Sequence, residues 1–328
     1  MKKAIALVLS ICLILGFAVG CQPATTTQAQ KKTITLAYDF IVQDTMMTAL
    51  WNGIQKAAED YNAASSDTIV KVIMTNAEAK VDKQLSNVES LIQLKPDVIS
   101  IISVDQNGSI PAFEAVKKAG IKVVNALKVA PHELADLKVI GMDHFRHGQI
   151  QAEWLDKYMT ENPNVKLKIG YLNSDPAVTD ALARYTGFKE NFLDKYVANG
   201  RAEEVANTYA YWVSDKALTV VEDWLQVNPD INCIVAASDL MALGAVQAAK
   251  AAKKDIIILG IDGVPDAKAA IKEGSMAMTS ASDPALVSKG FFDATLALAM
   301  GTQTEKIVNL GTISAFPIDS TNVDKFIQ

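Results

Sequence analysis

The feature that most constrains the fold is an alternation of short β-branched runs with longer stretches of helical periodicity. It begins with the run 33–38 and the stretch 44–62, where apolar residues recur every three or four positions. The alternation starts again after the short run at 137–141, and the last segment, 307–318, is predicted to be extended. Buried apolar strands that alternate with helices form parallel sheets covered on both faces. Two such series predict an α/β fold of two doubly wound parallel-sheet lobes.

The N-terminal segment has the pattern of an export signal. Two lysines precede an uncharged apolar run over residues 4–19, which is shorter than the ~20 residues that span a bilayer. The small residues before Cys21 resemble the cleavage site of bacterial lipoproteins, although Ala18 stands where leucine is usual. We therefore expect a signal peptide at 1–20, lipidation of Cys21 and a flexible tether over 21–32. The alternative is an ordinary signal peptide with an incidental cysteine.

Composition excludes several kinds of partner. The formal net charge is −6, with acids and bases interspersed, so neither nucleic acid nor electrostatic docking to anionic lipid is expected. Of three cysteines, Cys12 lies in the predicted signal and Cys21 carries the predicted lipid. Cys233 therefore has no disulfide partner, and its apolar run predicts a buried small hydrophobic residue.

The motifs of several catalytic classes do not occur in the sequence. There is no Gly-x-Gly-x-x-Gly after the first predicted strand, no phosphate-binding loop and no Gly-x-Ser-x-Gly elbow. His144 and His147 have helical spacing, but no Cys or Glu completes a zinc set. We expect a solvated turn there, and neither a metal nor a cofactor. The abundance of aspartate leaves paired carboxylates, and hence a glycosidase, as an open alternative.

Five stretches together resemble one known family. They are residues 53–58, 84–99, 184–188, 228–244 and 257–266, of which the fourth, Asn-Pro-Asp-Ile-Asn-Cys-Ile-Val-Ala-Ala-Ser-Asp-Leu-Met-Ala-Leu-Gly, is the most specific. They resemble the ribose-binding-like sugar-binding proteins of bacterial ABC importers from about residue 33 onward. The resemblance implies a type I periplasmic binding protein, whose two lobes are joined by three crossings and close on the ligand. Cytosolic regulators related to the lac repressor share this fold but begin with a helix-turn-helix.

The resemblance also implies domain boundaries and a function. The N-terminal lobe is expected at 33–142 and 283–312, and the C-terminal lobe at 143–282 and 313–328. The implied function is a lipid-anchored, extracytoplasmic, monomeric binding protein without enzyme activity, which delivers a sugar or related small polar solute to an ABC permease. The lipid is its only expected attachment to the membrane, and it is not expected to bind nucleic acid. The alternatives are a receptor for a membrane sensor, a binder of a nucleoside, polyol or signalling molecule, and an extracellular hydrolase.

Candidate ligand contacts follow from position. Ligands of doubly wound sheets bind beyond the carboxyl ends of the strands, and sugars need charged hydrogen-bonding groups together with flat apolar surfaces. In the second lobe the resemblance implies contacts from Arg184, Trp212 and Asp262. The further expected contacts are Ser238, Ser282, Asp143, Asp39, Asp44, Met46 and Met47.

Each assignment has a simpler structural alternative. Arg184 could be a surface arginine of its helix, and Trp212 could be ordinary packing. Asp262 could shape the turn at Gly263, and Asp44 could cap the helix that follows it. The two methionines could belong to the core. Asp239 is expected to cap a helix rather than contact ligand.

Departures from the family pattern bear on the ligand. Two adjacent phenylalanines that grip the sugar in ribose binders are Met46 and Met47 here, and an Asp-Arg pair after the fourth strand is Leu127 and Lys128. In the family Asp44 is an asparagine and Asp39 a serine, while Ser238 and Ser282 are an asparagine and a glutamine. Methionines give an adaptable wall rather than a stacking platform. The departures weaken the case for a plain pentose or hexose and favour the broader class of small polar solutes.

Overall fold

A computed structural model describes residues 31–41, 45–105, 107–127, 133–176 and 179–327. Its strands, in chain order, are β1 (Lys32–Phe40), β2 (Thr68–Asn76), β3 (Val98–Ile101), β4 (Lys122–Leu127), β5 (Leu137–Ile140), β6 (Leu167–Asn173), β7 (Ala202–Tyr209), β8 (Cys233–Ala236), β9 (Ile257–Ile261), β10 (Met278–Ser282), β11 (Ile307–Asn309) and β12 (Ala315–Asp319). Its α-helices are α1 (Thr45–Ala64), α2 (Val81–Gln93), α3 (Ile110–Lys118), α4 (His144–Glu161), α5 (Thr179–Phe188), α6 (Asp194–Ala198), α7 (Ser214–Val227), α8 (Asp239–Ala251), α9 (Pro265–Lys272), α10 (Pro284–Met300) and α11 (Leu310–Ser314).

The strands form two six-stranded sheets, one in each lobe. The first has the order β11-β5-β4-β3-β1-β2 and is parallel throughout. The second has the order β12-β10-β9-β8-β6-β7 and is parallel except where β12 pairs with β10. The prediction of two doubly wound α/β lobes is confirmed.

Alternation along a single strand explains why helices cover both faces of the first sheet. Leu36 and Tyr38 of β1 are buried in a cluster with α1 and α10. The intervening Ala37 joins a separate cluster with α2 and α3. Successive side chains of a strand point to opposite faces, so a run that is apolar at every position requires helices on both.

The chain passes between the sheets three times. It leaves the first sheet after β5 and enters α4, returns between β10 and α10, and leaves again through α11 to β12. The crossings are hydrogen-bonded to one another: the amide of Asp283 donates to the carbonyl of Ser314 at 2.9 Å. That the lobes separate as units at residues 142, 282 and 312 stays a prediction.

Three local expectations differ from the structure. The predicted solvated turn at His144 and His147 is wrong, because α4 begins at His144, capped by Asp143, and His147 is fully buried. The segment predicted to be extended contains α11, whose first turn is capped by Asn309. The helix that the sequence pattern predicts as one continuous piece over 178–196 includes a π-helical turn, Lys189–Leu193, between α5 and α6. Cys233 is buried, as expected.

Some predictions fall outside the described residues. The signal peptide, Cys21 and the tether as far as residue 30 belong to this part of the chain, as do Asp44 and Lys128. Lys32, placed at the end of the predicted tether, is the first residue of β1. Within the described ranges, no helix is long and apolar enough to cross a membrane.

Candidate ligand-binding site

Strained backbone marks the carboxyl ends of several strands. Leu127 at the end of β4, Tyr211 and Trp212 after β7, and Asp262 after β9 all have positive φ values, of 59°, 55°, 63° and 121°. Side-chain-bearing residues in such regions cost on the order of 1–3 kcal/mol each and cluster at functional sites. Lys95 and Lys253 also have positive φ values but follow helices, whereas these four positions lie where doubly wound sheets bind ligands and point to this edge as the candidate site.

A close crossing of α4 and α5 positions the arginine of the site. A Cβ on Gly148 would lie 2.0 Å from the carbonyl oxygen of Arg184, and one on Gly187 would lie 2.1 Å from that of Phe145. The two helices therefore touch backbone to backbone, which only glycine allows. This contact brings the side chain of Arg184 under the carboxyl ends of β8 and β9.

The guanidinium of Arg184 is buried and held from several sides. Nη1 donates to the carbonyl of Ala237 at 2.5 Å and to Oδ1 of Asp262 at 3.3 Å. Nε donates to Nδ1 of His144 at 3.3 Å. Among the described residues, Nη2 meets only the sulfur of Met142, at 3.7 Å, which is a weak acceptor. Nη2 is thus the nitrogen with most capacity left for a ligand.

Trp212 and Asp262 complete the group around this guanidinium. Cζ of Arg184 lies 5.3 Å from the centroid of the Trp212 ring, a distance suited to a cation–π contact. The side chain of Asp262 is 34% exposed, so it faces both the arginine and solvent. Burial raises the pKa of Asp262, and the charge of Arg184 partly opposes that rise. The cluster offers a flat aromatic face beside one paired cation and anion.

The two serines expected at the site are engaged within the protein. Ser238 caps α8 and accepts a hydrogen bond from the amide of Met241 at 3.4 Å. Oγ of Ser282 lies 3.1 Å from Nε2 of His147, whose Nδ1 lies 2.8 Å from Oγ of Ser280. Burial lowers the pKa of His147 to about 3, so this imidazole is neutral. Asp239, expected as a cap, is instead the buried first residue of α8 and accepts from the amide of Val264.

Asp143 lies at the first crossing rather than beside Arg184. One of its oxygens accepts from the amide of Arg146, and the other accepts from Nδ2 of Asn309 and Oγ1 of Thr312. Burial opposes ionisation of Asp143, but these hydrogen bonds outweigh it and lower its pKa. The carboxylate therefore ties α4 to α11, and so one crossing to another.

The first-lobe candidates are separate from this cluster. Asp39 is fully buried, and its oxygens accept from Thr75 Oγ1, Gln84 Nε2 and Asn87 Nδ2 at 2.7, 2.8 and 2.9 Å. Burial raises the pKa of Asp39 and the three donors oppose that rise. Met47 belongs to the core of the lobe, whereas the side chain of Met46 is 65% exposed.

His144 is the site residue that sequence reasoning missed. Its Nε2 lies 3.4 Å from Oδ2 of Asp180, while its Nδ1 accepts from Arg184. The spacing of His144 and His147 drew attention to these residues only as metal ligands. In the part of the chain that the structure describes, no three His, Cys, Asp or Glu side chains could hold a metal ion.

Comparison with known proteins places the chain in a family. A model described as periplasmic binding protein domain matches residues 37–303. The chain belongs to the periplasmic binding protein family. Ribose import binding protein RbsB of Bacillus subtilis (strain 168) is 28% identical over 314 residues, covering 94% of this chain and 97% of the relative. Xylitol-binding protein of Mycolicibacterium smegmatis is 27% identical, covering 69% of this chain and 63% of the relative.

A solved structure has the same fold. The periplasmic ribose ABC transporter from Conexibacter woesei DSM 14684 superimposes with a TM-score of 0.73 at 17% identity, covering 92% of this chain and 96% of that one. The family match and the ribose-binding relatives confirm the family resemblance inferred from sequence. Proteins of this family are extracytoplasmic, non-enzymatic binding proteins of ABC importers, which agrees with the prediction of no enzyme activity.

Proposed function

We propose that this protein captures a neutral sugar or polyol outside the cytoplasmic membrane and delivers it to an ABC permease. The observation that carries the proposal is the buried Arg184–Asp262 pair beside Trp212, at the carboxyl ends of the strands of the second lobe. Relatives named for ribose and xylitol support a polyhydroxylated ligand.

The charges of the cluster favour a neutral ligand. The guanidinium of Arg184 already has an anionic partner in Asp262, so an acidic ligand would compete with that carboxylate. A hydroxyl can accept from Nη2 of Arg184 and donate to Asp262, using both charges without displacing either. The ring of Trp212 offers a face for C–H groups. A sugar or polyol meets all three requirements.

The two lobes contact the ligand at different stages of binding. The second-lobe cluster is held by protein hydrogen bonds and can receive the ligand first. Contacts from the first lobe, including Met46 and residues near Asp39 and Asp44, then stabilise the closed form. The adaptable methionine side chain suits a ligand that differs in shape from a simple pentose. Ser238, Ser282 and Asp143 support the site or the crossings through the hydrogen bonds that they already make.

Membrane attachment is the second part of the proposal. The small residues before Cys21 and the polar stretch after it are what a lipid-anchored domain needs. Replacing Cys21 with Ser should release the protein from cell membranes into the soluble fraction. Equal retention of both forms would contradict the lipid anchor and leave the ligand proposal intact.

Thermal melting with a ligand panel tests the binding function. The Cys21→Ser protein is melted with D-ribose, D-arabinose, xylitol, myo-inositol and nucleosides. A ligand at a hundred times its Kd adds about 2.7 kcal/mol, which shifts Tm by roughly 5 °C or more in a chain of this length. Arg184→Gln and Asp262→Asn should abolish the shift. Arg146→Gln is the matched control, because Arg146 pairs with Glu153 away from this cluster. A shift with nucleosides alone would overturn the sugar assignment.

A further inference from the structure

His144 lies between two oppositely charged residues of one helix. Asp180 and Arg184 are one turn apart on α5, and the imidazole of His144, the first residue of α4, faces both. Its Nε2 is 3.4 Å from Oδ2 of Asp180, and its Nδ1 is 3.3 Å from Nε of Arg184. The His144 side chain is 22% exposed and that of Asp180 is 53% exposed, so the imidazole is mostly buried while the carboxylate stays in contact with water.

The chemistry of the two neighbours selects one tautomer of this imidazole. Arginine Nε–H can only donate, so Nδ1 of His144 must carry a lone pair. In a neutral ring the proton is then on Nε2, where it faces the carboxylate of Asp180. The aspartate thus favours the tautomer that can accept from Arg184.

Protonation would reverse this arrangement. A proton on Nδ1 removes the acceptor for Arg184 Nε and places a cation beside the guanidinium. Arg184 would then lose one of the contacts that fix its plane between Ala237 and Asp262. A shift of that plane displaces Nη2, the nitrogen with most capacity for a ligand.

We propose that His144, oriented by Asp180, is a positioning residue that aims Arg184 at the ligand, and that protonation of His144 weakens ligand binding. The inference rests on the proposed function, because it assumes that Arg184 contacts the solute. It extends that function by making capture sensitive to acid.

The surrounding charges determine the pH at which His144 titrates. The titratable and charged groups around His144 are Asp143 and His147 on its own segment and Asp180 and Arg184 on α5. Arg184 pairs in turn with Asp262 after β9. Burial and the positive charge of Arg184 lower the pKa of His144, while Asp180 and Asp143 oppose that decrease. His144 is therefore neutral at pH 7.5 and becomes charged only in acid. His147 stays neutral over the same range.

NMR of the ligand-free Cys21→Ser protein tests the geometry directly. Ring ¹⁵N shifts at pH 7.5 should identify His144 as the Nε2–H tautomer. The Nε–H signal of Arg184 should move on acidification with the same midpoint as His144, and this movement should be absent in His144→Gln. A His144 ring protonated on Nδ1, or an Arg184 signal indifferent to the histidine, would overturn the proposal.

Calorimetric titration with D-ribose then tests the effect on binding. One pH unit below the His144 midpoint observed by NMR, the wild type should have lost affinity by about tenfold relative to pH 7.5, the order expected when a hydrogen bond to a charged group is lost. His144→Gln should show a much flatter profile, and Asp180→Asn should weaken binding at pH 7.5. Asp239→Asn is measured in parallel, because burial raises the pKa of Asp239 to about 7 and this carboxyl titrates nearby.

The outcomes separate the two proposals. If Arg184→Gln binds D-ribose as the wild type does, or if the wild type does not bind it, the proposed ligand site fails for this sugar and the NMR result alone decides the role of His144. If Arg184→Gln abolishes binding while His144→Gln keeps the wild-type pH profile, the proposed function stands and the inference fails. Equal Tm values for wild type and His144→Gln at pH 7.5 exclude general unfolding as the cause of a change.

Discussion

His147 should make the stability of the protein depend on pH. The imidazole is fully buried between the hydroxyls of Ser280 and Ser282. Burial, together with the nearby charge of Arg184, lowers its pKa to about 3. In the unfolded chain a histidine has a pKa of about 6.5. Between these two pKa values His147 is protonated in the unfolded chain but not in the folded protein, so stability decreases as the pH falls.

The size of this effect follows from the two pKa values. One pKa unit corresponds to about 1.4 kcal/mol, so His147 should remove about 2 kcal/mol of stability between pH 8 and pH 5. The full loss, reached near pH 3, is about 5 kcal/mol by the same linkage. His147→Gln removes the titrating group and keeps an amide that can meet both serines.

Urea unfolding at pH 8, 6.5 and 5 measures the effect. Any packing cost of the glutamine is the same at every pH. It therefore cancels when the change in unfolding free energy with pH is taken for each protein separately. The wild type should lose about 2 kcal/mol more than His147→Gln on going from pH 8 to pH 5. The ring proton signals of His147 should show no titration over this range. Parallel pH dependence of the two proteins, or a ring that titrates near pH 6, would refute the argument.

Three further predictions concern the site and the crossings. Burial raises the pKa of Asp239 to about 7, so its ionisation lowers the stability of the folded protein as the pH rises from about 4 to 7. Between pH 5 and pH 8 the wild type should therefore lose about 3 kcal/mol of stability that Asp239→Asn keeps, as measured by urea unfolding. Gly148→Ala puts a Cβ 2.0 Å from the Arg184 carbonyl, so it should cost about 1–3 kcal/mol and weaken solute binding in calorimetry; unchanged affinity would contradict the role of the helix crossing. Asp143→Ala removes the cap of α4 and the acceptor for Thr312, so it should cost roughly 1–2 kcal/mol, read as a lower Tm.

The sequence predicted the order of strands and helices well, with the first turn of α4 and the helix α11 as exceptions. Runs buried on both faces are apolar at every position, which is a strong signal in a parallel sheet. The first turn of α4 was not predicted, because the polar side chains of His144 and His147 favour a solvated turn. The cap at Asp143 was the available signal for the true start. The helix α11 has only five residues, too few for a periodic pattern.

The candidate site was predicted in part, for a physical reason. Arg184, Trp212 and Asp262 were expected together, and the structure places them in contact. The contact between His144 and Arg184 was not predicted, because it depends on how closely α4 approaches α5. That distance is set by Gly148 facing a backbone carbonyl of the other helix, which one sequence does not reveal.

Contacts within the protein hold the second-lobe cluster in place without a bound solute. The left-handed residues Tyr211 and Trp212 are held by amides of their loop, since Ala210 and Tyr211 donate to the carbonyls of Asn173 and Ser174, each at 2.8 Å. Asp262 is held likewise through Ser280, whose carbonyl accepts its amide at 2.8 Å. Under the proposed function, protein contacts already fix these groups, so the solute need not order them and the entropy cost of its capture is reduced. The binding free energy that remains is then available to draw the first lobe across the crossings, which is how a preformed half-site can drive closure.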